Sequence, residues 1–198
     1  MSQTFFDNLP KNFTDVTISA SGEIDVLTFL EATESMLKLF DVINATAFSP
    51  VKSDMTGNIS KIRTKFLENP ANSTLQAIVL SEQDQKKKIA TEGLLWLKRG
   101  LEFTSQALRR NVDSPDEELT VSFGEAYKVT LSKFHSFIIK PVFAMAMKAC
   151  PYRKDFYAKL GDNQDKVKQD LNTWLTAFEK IVKILSDFYT AGKHDKGF

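Results

Sequence analysis

Between residues 165 and 190 the apolar residues Val167, Leu171, Trp174, Leu175, Phe178, Ile181, Val182, Leu185 and Phe188 recur three and four apart, with no glycine or proline among them. That period puts them on one stripe of a long helix, and such a stripe must be covered by other elements. The same spacing returns over residues 25–44, through Val26, Leu27, Phe29, Leu30, Met36, Leu37, Leu39, Phe40, Val42 and Ile43. No convincing strand alternation, internal repeat, low-complexity tract or interdomain linker breaks the pattern. The chain of 198 residues therefore reads as one all-α domain of seven or eight helices, with residues 1–22 as a lead-in arm carrying Phe5, Phe6 and Phe13.

Local signals divide the rest. Ser49 and Pro50 predict a helix start, with the Ser49 hydroxyl as cap, and Asn69-Pro70 its end. A short segment over residues 73–80 leads to a polar patch over 81–88, whose Lys86-Lys87-Lys88 run reads as solvated. A long helix is expected from about Gln83 to Arg110, with Glu92, Trp96, Arg99 and Phe103 on one face and Gly93 and Gly100 on a stripe that permits close helix contact. Ser114-Pro115-Asp116-Glu117-Glu118 reads as a cap, proline and acidic first turn of a helix running to Phe134, which Pro141 should kink or break. A short amphipathic piece through Phe156 and Leu160 precedes the last helix, for which Gly192 is the expected stop.

Composition excludes several classes. The balance of 26 basic against 25 acidic residues leaves no electrostatic footprint for nucleic acid. Cys150 is the single cysteine, which rules out an internal disulfide; with no apolar leader at Met1, the expected compartment is the cytoplasm. The longest apolar run, residues 137–147, is interrupted by Lys140 and Pro141 and falls short of the roughly 20 residues that span a bilayer. His135 and His194 have no second His or Cys at ligand spacing, so no metal site and no cofactor is expected. Asp54 and His135 offer an acid and a base, but nothing nearby in sequence supplies a nucleophile or an oxyanion hole, and an enzyme is not expected.

Within the helix that starts at Pro50, Asp54, Asn58 and Lys61 fall at i, i+4 and i+7 and project from one stripe, beside an apolar stripe of Met55, Ile59, Ile62 and Phe66. An acid, an amide and an amine together supply the acceptors and donors that grip a polyhydroxylated group; the plainer reading is a solvated outer face. Gly57 within this stretch weakens a helix by about 1 kcal/mol relative to alanine, which predicts a close approach of backbone or ligand. Sixteen phenylalanines against four tyrosines and two tryptophans imply an interior of rings without polar handles, either a packed aromatic core or the wall of a cavity.

The combination of Asp54-x3-Asn58-x2-Lys61, Leu95-Trp96-Leu97-Lys98-Arg99-Gly100-Leu101, Phe134-His135 and Pro151-Tyr152-Arg153-Lys154-Asp155-Phe156 resembles the glycolipid transfer protein family, in its glycolipid-binding branch, over about residues 25–190. The resemblance implies a two-layer helical sandwich of about eight helices enclosing a hydrophobic lipid pocket. It makes Trp96 a platform for the first sugar, Asp54, Asn58 and Lys61 its hydrogen-bonding partners, and His135 with Asp54 the grip on the ceramide amide. A ceramide has on the order of thirty CH₂-like groups, so carrying it bare through water would cost about 24 kcal/mol at 0.8 kcal/mol each. A few sugar hydrogen bonds cannot offset that, and the apolar pocket must do most of the carrying. Phe40, Phe48, Phe103, Leu131, Val142 and Phe143 are the expected lining. Phe137, Ile138, Lys140 and Pro141, just after His135, are the expected docking patch for a transient contact with a membrane surface.

Three departures bear on specificity. Phe137 stands where the family's animal members have tryptophan, Glu92 where an apolar residue is expected, and the tail ends at Phe198 without a tyrosine near the headgroup. The related ceramide-1-phosphate branch replaces the Asn58 and Trp96 types with cations, so these two residues favour sugar over phosphate. The function implied is a non-enzymatic carrier that moves a glycosphingolipid between membranes. The alternatives are ceramide-1-phosphate transfer, a non-transferring lipid sensor or helical interaction protein, and, third, a lipid hydrolase.

Overall fold

The structure is a computed structural model that describes residues 3–198. Its helical segments are α1 (Val26–Met36), α2 (Lys38–Asn44), α3 (Ser49–Glu68), α4 (Leu75–Ser81), α5 (Ile89–Asp113), α6 (Leu119–Val129), α7 (Ile139–Lys148), α8 (Arg153–Leu160) and α9 (Gln164–Gly192). Two 3-10 turns, Phe6–Asn8 and Phe13–Asp15, precede them, and the only β pairing among the described residues is a pair of isolated bridges. The single helix expected over residues 25–44 is bent at Leu37 into α1 and α2, so nine segments make eight rods. The Thr33 and Ser35 hydroxyls donate back to the carbonyls of Phe29 and Glu31, a competition that bends helices, and Phe40 N–H reaches only to Leu37 O.

Helix α5 is the central element, with α3, α6 and α9 packed on it. Its crossing with α3 is close because of two glycines. A Cβ added at Gly93 would sit 3.1 Å from Lys61 Cβ and 3.4 Å from Asn58 O, and one at Gly100 would lie 3.5 Å from the end of Met55. The long stripe of α9 is covered partly by the N-terminal arm, which is packed rather than loose. Phe13 stacks on Phe178 at 4.2 Å, Phe6 and Phe13 flank Trp174, and Thr4 Oγ1 donates to Asp170 at 2.7 Å.

Several helix ends differ from expectation for reasons remote in sequence. α5 begins at Ile89, not near Gln83, because the buried Glu82 carboxylate accepts from the N–H groups of Ala90 and Thr91 and caps the helix from eight and nine residues away. Ser114 ends α5 rather than opening α6, and Glu117 is drawn off to Arg110 and Ser122, so α6 starts at Leu119. α6 stops at Val129, and Pro141 lies in the first turn of α7, where its missing N–H has no partner to lose. Pro141 therefore neither kinks nor breaks a helix. At the end of α9 the left-handed residue is Lys193, at φ 53°, and not Gly192.

Candidate functional site

The opening turn of α3 sets one wall of the site. The chain winds into it through Asn44, whose side chain accepts from Ala47 N–H, and Pro50 occupies the first turn as expected. The Ser49 hydroxyl makes no capping bond; Phe48 holds the cap position instead. Along α3, Asn58 Nδ2 faces Asp54 Oδ2 at 3.4 Å and Lys61 Nζ donates to Asn58 Oδ1 at 3.2 Å. The three side chains thus form one polar chain, with the central amide 3% exposed. The solvated-face reading fails at Asn58, which is held between the other two. Partial burial raises the Asp54 carboxyl above its ordinary value, and the Lys61 charge opposes that shift.

Across from α3, α5 presents Glu92, Trp96 and Gly100, and residues 131–143 close the third side through Leu131, Phe134, His135, Ile139, Val142 and Phe143. Together they enclose a cavity of about 460 Å³ with Val51 and Met55 also in its lining. The indole of Trp96 is held from behind. Arg99, 6% exposed, sets its guanidinium 4.6 Å from the Trp96 ring centre and 3.7 Å from that of Phe134. Burial lowers the Arg99 pKa from its ordinary value, with acidic neighbours opposing. His135 lies nearly parallel to Trp96, ring centres 6.3 Å apart, and its Nδ1 is 3.1 Å from the Tyr127 hydroxyl. Desolvation, assisted by Lys140, lowers the His135 pKa, while burial raises that of Tyr127, so the pair is neutral at neutral pH.

The expected lining divides in two. Leu131, Val142 and Phe143 face the cavity, but Phe40, Phe48 and Phe103 do not. Those three are fully buried in a solid aromatic cluster, Phe40 stacked on Phe48 at 5.3 Å and both Phe48 and Phe103 set edge-on to Phe123. Gly57 also departs from expectation: nothing lies within 4 Å of the place its Cβ would take, and the close approach occurs at Gly93 instead. Sequence reasoning missed Arg99 and Tyr127 as supports. Arg99 carried a signal, three residues from Trp96 on one face of α5; Tyr127 carried none. Glu92 forms no ion pair with Lys61 or Arg99 among the described residues; Lys61 donates to Asn58, and Arg99 lies on two rings.

A family model described as glycolipid transfer protein matches residues 24–162. A glycolipid transfer protein of Aureobasidium melanogenum is 59% identical over 186 residues, 93% of this chain and 92% of that one. The chain belongs to the glycolipid transfer protein family. This family is one of lipid transfer proteins rather than enzymes. The crystal structure of a fungal glycolipid transfer protein, HET-C2, superposes with a TM-score of 0.92 at 50% identity, covering 94% of this chain and 97% of that one. The human pleckstrin homology domain-containing family A member 8 is 35% identical over 200 residues, but the chain spans only 38% of its length.

This family member exposes apolar side chains beside the cavity. Phe137 is 84% and Met145 73% exposed, with Ile138, Ile139 and Val142 also open to solvent and Lys140 and Pro141 among them. Residues 137–142 are therefore not core. No described helix is long and apolar enough to cross a membrane.

Proposed function

We propose that this protein is a carrier that extracts a glycosphingolipid from one membrane and delivers it to another, holding the sugar at the α3–α5 site and the ceramide in the apolar interior. The observation that carries this reading is the hydrogen-bonded chain of Asp54, Asn58 and Lys61 facing an indole across one cavity whose remaining wall is apolar. The indole face of Trp96 suits the C–H face of a pyranose, and the acid, amide and amine suit its hydroxyls. Arg99 and Phe134 fix the platform, so little side-chain freedom remains to be lost on binding. In the tautomer in which the Tyr127 hydroxyl donates to Nδ1 of His135, Nε2–H is the free donor of the ring, suited to the ceramide carbonyl, while Asp54 accepts from the amide N–H.

The acyl and sphingoid chains need more apolar room than 460 Å³ provides. Helix α7 is the element suited to yield, since it packs chiefly on α6 and buries only Phe143, Ala146 and Met147. Phe137 and Ile138 just before it, with Lys140 and Met145 within it, form a surface of apolar wedges and a cation, fit for shallow contact with a bilayer interface at the cavity mouth. The compartment proposed is the cytoplasm, on the single, buried Cys150.

The solid cluster of Phe40, Phe48 and Phe103 favours a second reading, a helical interaction protein that moves no lipid. Incubation with galactosylceramide vesicles, re-isolation and chromatography of the extracted lipid separate the two. A carrier returns bound, intact galactosylceramide; protein that emerges without lipid supports the second reading, and cleaved lipid contradicts both. Trp96→Ala and Asp54→Val are each expected to abolish uptake with helix content retained, because they remove headgroup contacts without emptying the core. Uptake by both folded variants would refute the site assignment.

A further inference from the structure

The run Lys86-Lys87-Lys88 has no part in the carrier site, yet Lys88 is not free in solvent. Half-buried, it lines a separate polar pocket of about 300 Å³ together with Lys193 and Lys196 from the segment after α9, with Gln83, Asp84, Thr91 and His194 completing the polar wall. None of the three ammonium groups has an ion pair or hydrogen bond among the described residues. Three lysines in the lining face one acid, Asp84; with Lys86, Lys87, Glu82 and Asp195 around it, five lysines face three acids. Of those acids, Glu82 is committed to the N–H groups that open α5.

Two of the lysines sit where local structure disfavours them. Lys88 holds the N-cap of α5, the positive end of the helix dipole, where a cation is repelled and a short side chain that accepts a hydrogen bond is the stable choice. Lys193 takes the left-handed conformation after α9, at φ 53°, which glycine adopts with less strain. Gly192 is used instead to admit the His194 ring, which a Cβ there would overlap; the ring packs on Phe188 at 4.6 Å, and its Nδ1 lies 3.3 Å from Gln83 Nε2. The negative end of the α9 dipole accounts for Lys193 and Lys196, but not for Lys88. A dianion held among the three offsets both local penalties.

We infer that this pocket binds a phosphate monoester group through the ammonium groups of Lys88, Lys193 and Lys196. Three cations around a polar hollow suit a dianion with three acceptor oxygens, whereas a neutral sugar gains little from them. The pocket shares no lining residue with the cavity of Asp54 and Trp96, so the inference stands apart from the carrier reading. The phosphate is either free or carried on a lipid, and the test separates the two.

In one arm the full chain, labelled with nitrogen-15, is titrated with glycerol 3-phosphate and, at matched ionic strength, with sodium chloride. In the other it is floated with phosphatidylcholine vesicles with and without phosphatidic acid. Glycerol 3-phosphate, and not chloride, is expected to give saturable amide shifts at Lys88, Thr91 and residues 193–196, half-complete at about 1 mM. Lys88→Gln and Lys196→Gln should each weaken this binding about five- to tenfold. Lys168→Gln makes the same charge change about 36 Å away along α9 and should leave it unaltered. Lys193→Gly relieves the left-handed backbone, so it should raise Tm while weakening phosphate binding, a combination that a merely structural lysine does not give. Saturation by glycerol 3-phosphate without added flotation on phosphatidic acid assigns a free phosphate; added flotation that Lys88→Gln and Lys196→Gln lose assigns a lipid-borne one. Absence of shifts at these amides and of added flotation overturns the inference, as does a Lys168→Gln protein that loses as much binding as Lys88→Gln.

Discussion

Two glycines, Gly57 on the open face of α3 and Gly93 at the α3–α5 crossing, should respond oppositely to one methyl group. Gly57→Ala and Gly93→Ala each gain about 1 kcal/mol of helix propensity, because alanine loses less backbone freedom than glycine. At Gly57 nothing lies within 4 Å of the new Cβ, so the gain should appear in full and raise Tm by about 2–4 °C for a chain of this size. At Gly93 the new atom meets Lys61 Cβ at 3.1 Å, Lys61 Cδ at 3.2 Å and Asn58 O at 3.4 Å. Cδ can swing aside, but Cβ and a backbone oxygen cannot, so α3 must give by a few tenths of an ångström. Overpacking of this kind costs about 1–3 kcal/mol, enough to cancel or reverse the gain. The two variants should thus differ by about 1–3 kcal/mol, with Gly57→Ala the more stable. Urea unfolding followed by circular dichroism resolves this as a difference of about 1 M in midpoint for a typical slope. Equal stabilisation by both alanines would show that α3 and α5 do not meet closely at Gly93, and the placement of Asn58 and Lys61 opposite Trp96 would lose its support.

Other outcomes follow from the same geometry. Asp54→Asn should be more stable than the parent at neutral pH. Because the folded carboxyl sits above its ordinary value of 3.8, ionisation disfavours the fold as pH rises through the folded value. That advantage should vanish well below pH 3.8, and parallel pH–stability curves for the two proteins would contradict it. Phe137→Asp should leave stability within about 0.5 kcal/mol of the parent, since the ring is exposed, yet weaken vesicle binding about 10- to 100-fold, as measured by flotation. Cys150, whose thiol burial pushes up to about 12, should resist iodoacetamide at pH 7 in the folded protein and react in urea; labelling of the native chain at the rate of a free thiol would place it elsewhere.

Helical period was legible wherever one face packs on another element, which is why α3, α5 and α9 could be read from spacing. Their ends were less so. Glu82 caps α5 from outside the helix and Glu117 is claimed by Arg110, and neither partnership has a short-range sequence signature. The stripe of Asp54, Asn58 and Lys61 could be read because all three lie on one helix. What faces it could not be read from the residues alone, since Trp96 and His135 come from other parts of the chain and only the combined pattern of a family joins them. The phenylalanines mark the limit of composition. Phe40, Phe48 and Phe103 are as apolar as Phe143, but side-chain chemistry does not say which rings pack on each other and which face a void.

The central claim is that one site binds a sugar while the interior takes up a ceramide. Transfer of fluorescent galactosylceramide between two vesicle populations, with ceramide-1-phosphate of the same chain length in parallel, tests it most directly. The account predicts rapid transfer of intact galactosylceramide and little of the phosphate lipid. Preferential transfer of ceramide-1-phosphate would contradict the roles given to Asn58 and Trp96, and transfer of neither would contradict the carrier itself.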